Sequence, residues 1–180
     1  MQNMVGKFIL YARAVDPTML VALVTLAAEQ SKVPEDTKEA LTYLIDYCAT
    51  NPDNKLIFHA SNTTFHIRSD SLYLSELHNR NCAGCHLFLG YHNYNNTREY
   101  NGEIFTISNI MKHAISKSME VEIRVLFHNT KLGEPIIFTL EEIVHPQKAI
   151  LTQTDNSTVE GITNDTTQQK STKEMDIRFY

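Results

Sequence analysis

The chain has no long uninterrupted apolar segment and no recognisable export signal. Lys7, Arg13 and Asp16 interrupt the apolar N-terminal stretch, which argues against both a membrane span and a signal peptide there. The three cysteines, an odd number without an export signal, predict free thiols in a reducing compartment. We therefore expect an intracellular protein, cytoplasmic or nuclear and not secreted, with no membrane partner.

The chain also lacks an excess of basic residues, and its formal net charge is -5. This is the wrong sign for broad electrostatic binding to nucleic acid. It does not exclude a nuclease whose metal ions neutralise its own carboxylates. A hydrophobic content of 42% over 180 residues suits one folded domain with an attached segment.

A turn cluster at residues 51–54, Asn-Pro-Asp-Asn, divides the chain into two parts. Three helices are predicted before it, over residues 5–14, 16–30 and 34–49. Asp16 followed by Pro17 is typical of a helix cap and first turn. We expect residues 1–54 to form a helical segment and residues 55–180 to form a second unit.

In the second part the hydrophobic pattern predicts mainly strands. They are expected over residues 55–60, 64–70, 83–91, 104–110 and 149–154. A helix is predicted from Ser116 or Ser118 to about Lys131. Its inward-facing residues are expected to be Met119, Ile123, Leu126 and Phe127. Composition alone makes residues 156–174 a loop or disordered tail. This order indicates an α/β domain with a mixed sheet.

Three acidic residues, Asp70, Glu122 and Asp155, lie where local patterns place a strand end or the first turn of a helix. Carboxylates from such places can converge on divalent cations, which prefer oxygen ligands. Taken singly, each is better explained as a surface, turn or cap residue. Periodicity cannot choose between Glu120 and Glu122, which lie about 200° apart on a helix and both flank the apolar stripe.

Several short motifs occur along the chain in a fixed order. They are Leu10-Tyr11 before Arg13 and Asp16-Pro17, the helical stretch 34–47, Ser69-Asp70 with Tyr73, Gly84 before Phe88-Leu89-Gly90, Glu120-Val121-Glu122-Ile123, Thr154-Asp155-Asn156-Ser157 and Met175-Asp176-Ile177-Arg178. Together they resemble a copia-type retrotransposon polyprotein, from the end of reverse transcriptase into the ribonuclease H domain. The resemblance covers essentially the whole chain.

The resemblance implies a ribonuclease H-like α/β fold, with a mixed sheet flanked by helices. It implies hydrolysis of the RNA strand of an RNA–DNA hybrid. Asp70, Glu122 and Asp155 would be the catalytic residues, holding Mg²⁺ or Mn²⁺ as the cofactor. The resemblance selects Glu122 over Glu120 and implies a helix and a loop within residues 156–174. The rest of a retroelement polyprotein would be a further partner.

The chain departs from the family pattern in three respects. It has no Trp, and Ser116-Lys117-Ser118-Met119 replaces a Ser/Thr pair before the Glu-containing motif. It also stops at Tyr180, before the family's last strand and the terminal helix that carries a fourth catalytic Asp. Asp176 does not match that residue by its motif. We therefore expect weak or absent activity, and an unfilled sheet edge that favours self-association.

Two alternatives stay open. One is a non-catalytic retroelement remnant or interaction module. The other is a thiol-based metal or redox protein, suggested by Cys82-Ala83-Gly84-Cys85-His86. A structural zinc site needs a second ligand pair, and a redox CxxC normally opens a helix. This CxxC leads into a predicted strand, which makes the thiol-based function the weaker alternative.

Overall fold

The computed structural model describes residues 2–28, 35–76, 80–91, 101–111, 117–147 and 150–167. Three helices come first, then three strands, a long helix, a short strand and a short helix. They are α1 (Gln2–Ala14), α2 (Leu20–Ala28), α3 (Glu35–Thr50), β1 (Thr64–Glu76), β2 (Arg80–Gly90), β3 (Glu103–Ile110), α4 (Ser118–Glu142), β4 (Leu151–Gln153) and α5 (Ser157–Thr163). The expected mixed α/β architecture is confirmed.

The three N-terminal helices form where the sequence predicts them and share a small core. Asp16 caps a 3-10 turn, Pro17–Met19, that leads into α2, as the Asp-Pro pair indicates. Leu23 of α2 and Leu44 of α3 are buried in the same apolar cluster. Ile45, the next residue of α3, is 43% exposed and lies outside this core.

The strands form one sheet with the order β3-β2-β1-β4. β1 is antiparallel to β2, β2 is antiparallel to β3, and β4 runs parallel to β1. Phe65 and Ile67 of β1 are buried and alternate with less buried neighbours, as their period of two predicts. The sheet is therefore mixed, as expected.

The predicted strand at residues 55–60 is wrong. Residues 54–63 lie in no strand, although Ile57 and Phe58 are apolar. Their side chains are 52% and 61% exposed, since neither faces a core. The segment is held instead by hydrogen bonds to residues distant in the sequence, such as Gly102 N to Ile57 O at 2.9 Å. An apolar run without alternation does not define a sheet face.

Helix α4 is longer than predicted, because it continues through Gly133 and Pro135 to Glu142. Pro135 removes one backbone donor, but Leu140 and its neighbours still pack on the core side of the sheet. A Cβ at Gly133 would lie 2.8 Å from Ile67 Cδ1, so this glycine lets the helix approach β1 closely. The inward assignment of Phe127 is wrong, since that ring is 48% exposed.

The start of α4 also differs from the prediction. Lys117 occupies the N-cap position without a side-chain hydrogen bond, and Ser118 is the first helical residue. Ser118 therefore does not cap the helix, and the other candidate, Ser116, lies outside the described residues.

The C-terminal part corrects the composition-based prediction of a loop over residues 156–174. Residues 157–163 form α5, and Val159 packs against Ile123 and Leu126 of α4. The helix expected from the resemblance is present at this position. The motif at residues 175–180, with Asp176, lies outside the described residues. Among the described helices, none is both long and apolar enough to cross a membrane.

Candidate metal centre

Asp70 and Asp155 lie close together because β1 and β4 run parallel. The ladder pairs Arg68 with Gln153. Since parallel strands advance in the same direction, the residues two positions further along are Asp70 and Asp155. Their side chains are both exposed. Two carboxylates distant in the sequence therefore meet at one end of the short β1–β4 pair.

The surroundings of these two residues differ in detail from the prediction. Asp70 lies within β1, opposite Gly84 of β2, and not at a strand end. Asp155 does not cap α5. Asn156 occupies that position, because its side chain accepts hydrogen bonds from the first free backbone amides of the helix. Asp155 is thus held between the end of β4 and a capped helix start.

Glu122 approaches from the first turns of α4, which packs across β1. One carboxylate oxygen each of Asp70, Glu122 and Asp155 lies within 4.8 Å of the other two. Oxygen atoms bound to one Mg²⁺ lie within roughly 4 Å of each other, since each is about 2 Å from the ion. The three residues therefore fit a small divalent cation after modest side-chain adjustment.

The pKa of Glu122 is affected by burial and by two neighbouring carboxylates of the same charge. Its side chain is 8% exposed. Burial raises the pKa of Glu122, the Ser71 hydroxyl lowers it, and the charges of Asp155 and Asp70 raise it further, with a net upward shift. A bound divalent cation would reverse this balance by favouring the ionised form.

The structure distinguishes Glu122 from Glu120 as the possible metal ligand, which the helical periodicity of the sequence could not do. Both side chains are buried, but only Glu122 joins the cluster of acids found among the described residues. Glu120 Oε1 lies 3.6 Å from Lys117 Nζ, an exposed cation one turn earlier. Glu122 is thus the glutamate that can serve as a metal ligand with Asp70 and Asp155.

A cleft of about 630 Å³ adjoins the cluster between the sheet and the N-terminal helices. This volume is within the range of small-molecule sites. Its lining includes Asp70, Asp155, Arg68 and His86 on the sheet side and Leu20 and Val21 from α2. Arg68 Nε donates a hydrogen bond to Gln153 Oε1 at 3.2 Å, which ties the arginine to β4. Asp70 and Asp155 are accordingly open to a ligand in the cleft, whereas Glu122 does not line it.

The CxxC sequence does not form a site. Cys82 and Cys85 both lie within β2, and side chains three residues apart on a strand face opposite sides. Cys85 packs in the sheet core, where burial raises its pKa to about 12. Cys82 Sγ lies 3.7 Å from Ser108 Oγ. A thiol this protonated is a poor nucleophile and metal ligand, and the two sulfurs cannot act together.

Sequence reasoning missed two residues beside the cluster. Ser71 follows Asp70 in β1, and its hydroxyl lowers the pKa of Glu122. Buried Asn129 hydrogen-bonds to Ser69 and Gly84. The signal for Asn129 is a polar residue two turns after Glu122 on a helix face that is otherwise apolar.

The comparisons with known proteins give no family assignment. The chain matches no protein-family model, no curated protein and no solved structure. The function must therefore be argued from the site itself.

Proposed function

We propose that the chain is a ribonuclease H-like nuclease related to copia-type retrotransposon polyproteins. It would hydrolyse the RNA strand of an RNA–DNA hybrid. The observation that carries the proposal is the convergence of Asp70, Glu122 and Asp155, whose carboxylate oxygens lie within 4.8 Å of one another. The sequence resemblance names the same three residues from motifs that are far apart in the chain.

The topology of the sheet also supports the proposal. Three antiparallel strands and a fourth strand parallel to β1 form a mixed sheet, and α4 packs across it. The resemblance assigns the first acid to the end of the first nuclease strand and the second to the start of the helix, and it matches the third to the Asp-Asn pair at residues 155 and 156. Asp70, Glu122 and Asp155 occupy β1, the start of α4 and the residues after β4, in that order.

The residues present fit divalent cations. Asp70, Glu122 and Asp155 would hold Mg²⁺ or Mn²⁺, hard ions that prefer carboxylate oxygens. A pair of such ions, when bound, activates the attacking water and stabilises the leaving oxygen of a phosphodiester. Arg68 lines the adjoining cleft, where its guanidinium can contact a phosphate oxygen of the substrate. Because the chain is acidic, we expect hybrid binding to depend strongly on the cation.

The test is to incubate the purified chain with a hybrid labelled on its RNA strand, in Mg²⁺ or Mn²⁺. We expect cleavage that requires the added divalent cation. Asp70→Asn should lower that cleavage by more than about 100-fold, because a direct ligand matters at least as much as an outer one. Asp53→Asn, the same change at an exposed turn, is the matched control and should cleave normally.

Calorimetry with Mn²⁺ separates the parts of the proposal. We expect the native chain to bind Mn²⁺ and Asp70→Asn to bind it far more weakly. A folded chain that neither binds Mn²⁺ nor cleaves the hybrid contradicts the proposal and favours the non-catalytic remnant. Binding of Mn²⁺ without cleavage would retain the metal centre but reject the nuclease activity.

A further inference from the structure

Asn129 is a fully buried amide in the middle of α4, with an exposed fraction of 0%. Its Nδ2 donates two hydrogen bonds, to Ser69 Oγ and to the carbonyl oxygen of Gly84, both at 2.9 Å. Both amide protons are thereby used. One side chain of α4 is thus bonded to β1 and to β2 at the same time.

The two acceptors of Asn129 are the immediate surroundings of Asp70. Ser69 precedes Asp70 in β1, and Gly84 is its cross-strand partner in β2. Glu122 lies seven residues before Asn129 in α4, which is about two turns, so both side chains project from nearly the same face of the helix. A shift of α4 that broke these bonds would change the distance from Glu122 to Asp70.

A buried amide at this position is less favourable for packing than an apolar side chain would be. Its neighbours on the same face of α4, Val125 and Gly133, are small or apolar. Asn129 Oδ1 is buried and has no hydrogen-bond partner among the described residues. An unpaired buried acceptor lowers stability, so a purely structural role would be better served by an apolar side chain.

We propose that Asn129 is a positioning residue of the metal centre. Its two hydrogen bonds set the depth and register of α4 over β1, and so hold the Glu122 carboxylate at ligand distance from the carboxylates of Asp70 and Asp155. The inference depends on the part of the proposed function that concerns the cation site. It does not depend on cleavage of a hybrid. Asn129 itself is not one of the three acids of the cluster and would act only through Glu122.

The experiment measures Mn²⁺ affinity by calorimetry, well below the melting temperature of every variant. Asn129→Ala should weaken Mn²⁺ binding by about 10–100-fold, as loss of an outer-shell partner does. Ser69→Ala removes one acceptor with little loss of volume and should weaken binding severalfold. The double variant should bind about as weakly as Asn129→Ala, because the two changes break a shared hydrogen bond.

Leu140→Ala is the matched control for destabilisation. Leu140 is buried in the sheet core on the same helix, but lies roughly 27 Å along the axis from Glu122, at 1.5 Å per residue. It should lower the melting temperature and leave Mn²⁺ affinity unchanged. If Asn129→Ala does not fold, Ser69→Ala alone decides the question.

Three results would overturn the inference. Native affinity in Asn129→Ala, or in Ser69→Ala where only that variant folds, would remove the positioning role. An equal loss of affinity in Leu140→Ala would show that general destabilisation is the cause. Failure of the unmodified chain to bind Mn²⁺ would reject the cation site, and the proposed function with it, so the two failures are distinguishable.

Discussion

Two buried carboxyl groups in different parts of the molecule have opposite surroundings. Asp16, 4% exposed, accepts hydrogen bonds from the backbone and hydroxyl of Thr18 and from Asn54 Nδ2, the last at 2.6 Å. Burial by itself raises the pKa of Asp16, but these hydrogen bonds outweigh it and hold that pKa below its usual value. Glu122, 8% exposed, is buried beside two other acids, and its pKa is raised.

The difference distinguishes a structural acid from a candidate ligand. Hydrogen-bond donors within the protein favour the ionised form of Asp16, so Asp16 stabilises the fold without a bound cation. The ionised form of Glu122 is disfavoured by the fold and needs a cation to become favourable. A buried acid whose shift comes from desolvation and from like charges is more indicative of a functional site than one that has donors.

Removal of Asp16 should have the largest effect on stability. Asp16→Ala deletes the cap of the turn before α2 and removes one of the two acceptors of the Asn54 amide, which keeps its hydrogen bond to the Tyr47 hydroxyl. We expect a loss of about 2–3 kcal/mol in the free energy of unfolding at neutral pH, from the lost cap and the lost bonds to a charged group. Urea denaturation of the purified variant measures it.

The matched control is Asp46→Ala, an exposed acid on α3, which should change stability by less than about 0.5 kcal/mol. Because the folded pKa of Asp16 is depressed, its contribution is present above the unfolded value of about 3.9 and fades as the pH falls through the folded pKa. Equal effects of the two variants at pH 7 would contradict the structural role of Asp16.

Neutralising Glu122 should raise the stability of the fold, whereas removing Asp16 should lower it. Without divalent cations, Glu122→Gln should stabilise the chain by about 1 kcal/mol, a typical gain for a single stabilising change. The melting temperature should rise by about 2–4 °C. Mn²⁺ should remove the advantage, because only the unmodified chain retains all three ligands and is stabilised by binding. Glu120→Gln should show no such gain.

The pH dependence identifies the cause of this gain. The folded pKa of Glu122 is raised, so ionisation of Glu122 lowers stability as the pH rises above the unfolded value of about 4.3. Glu122→Gln and the unmodified chain should therefore be almost equally stable near pH 4. Their difference should grow until the folded group has ionised. A difference that stays constant from pH 4 to pH 8 would show that charge is not responsible.

Local signals predict the helical segment better than the metal centre. The Asp16-Pro17 cap and the apolar stripes depend on neighbours in the sequence, and three helices form as expected. The end of α4 could not be predicted from local sequence. The tendency of Pro135 to end a helix is outweighed by the packing of Leu140 on a sheet whose strands are distant in the sequence. The apolar residues at 55–60 form no strand for a related reason: pairing requires a partner edge that local sequence does not reveal.

The acid cluster was predictable only through the order of its motifs. Periodicity left Glu120 and Glu122 equivalent, since their difference lies in what each meets across the fold. The resemblance chose Glu122, and the structure places Glu122 beside Asp70 and Asp155. The role of Asn129 could not be predicted from local sequence, because its two hydrogen-bond acceptors lie on strands far away in the sequence.

The smallest predicted effect concerns Lys117, the cation beside Glu120. Its amine lies 3.6 Å from Glu120 Oε1, and its side chain is 56% exposed. The lysine end of the pair is exposed, so solvent screens its attraction for the buried Glu120 carboxylate, and Lys117→Ala should lower stability by only about 0.5 kcal/mol. Loss of a nearby positive charge should leave Mn²⁺ affinity unchanged or slightly higher, with any increase shrinking as salt screens the charges. A severalfold fall in Mn²⁺ affinity would mean that Glu120 and Lys117 belong to the metal centre, and the contrast between the two glutamates would fail.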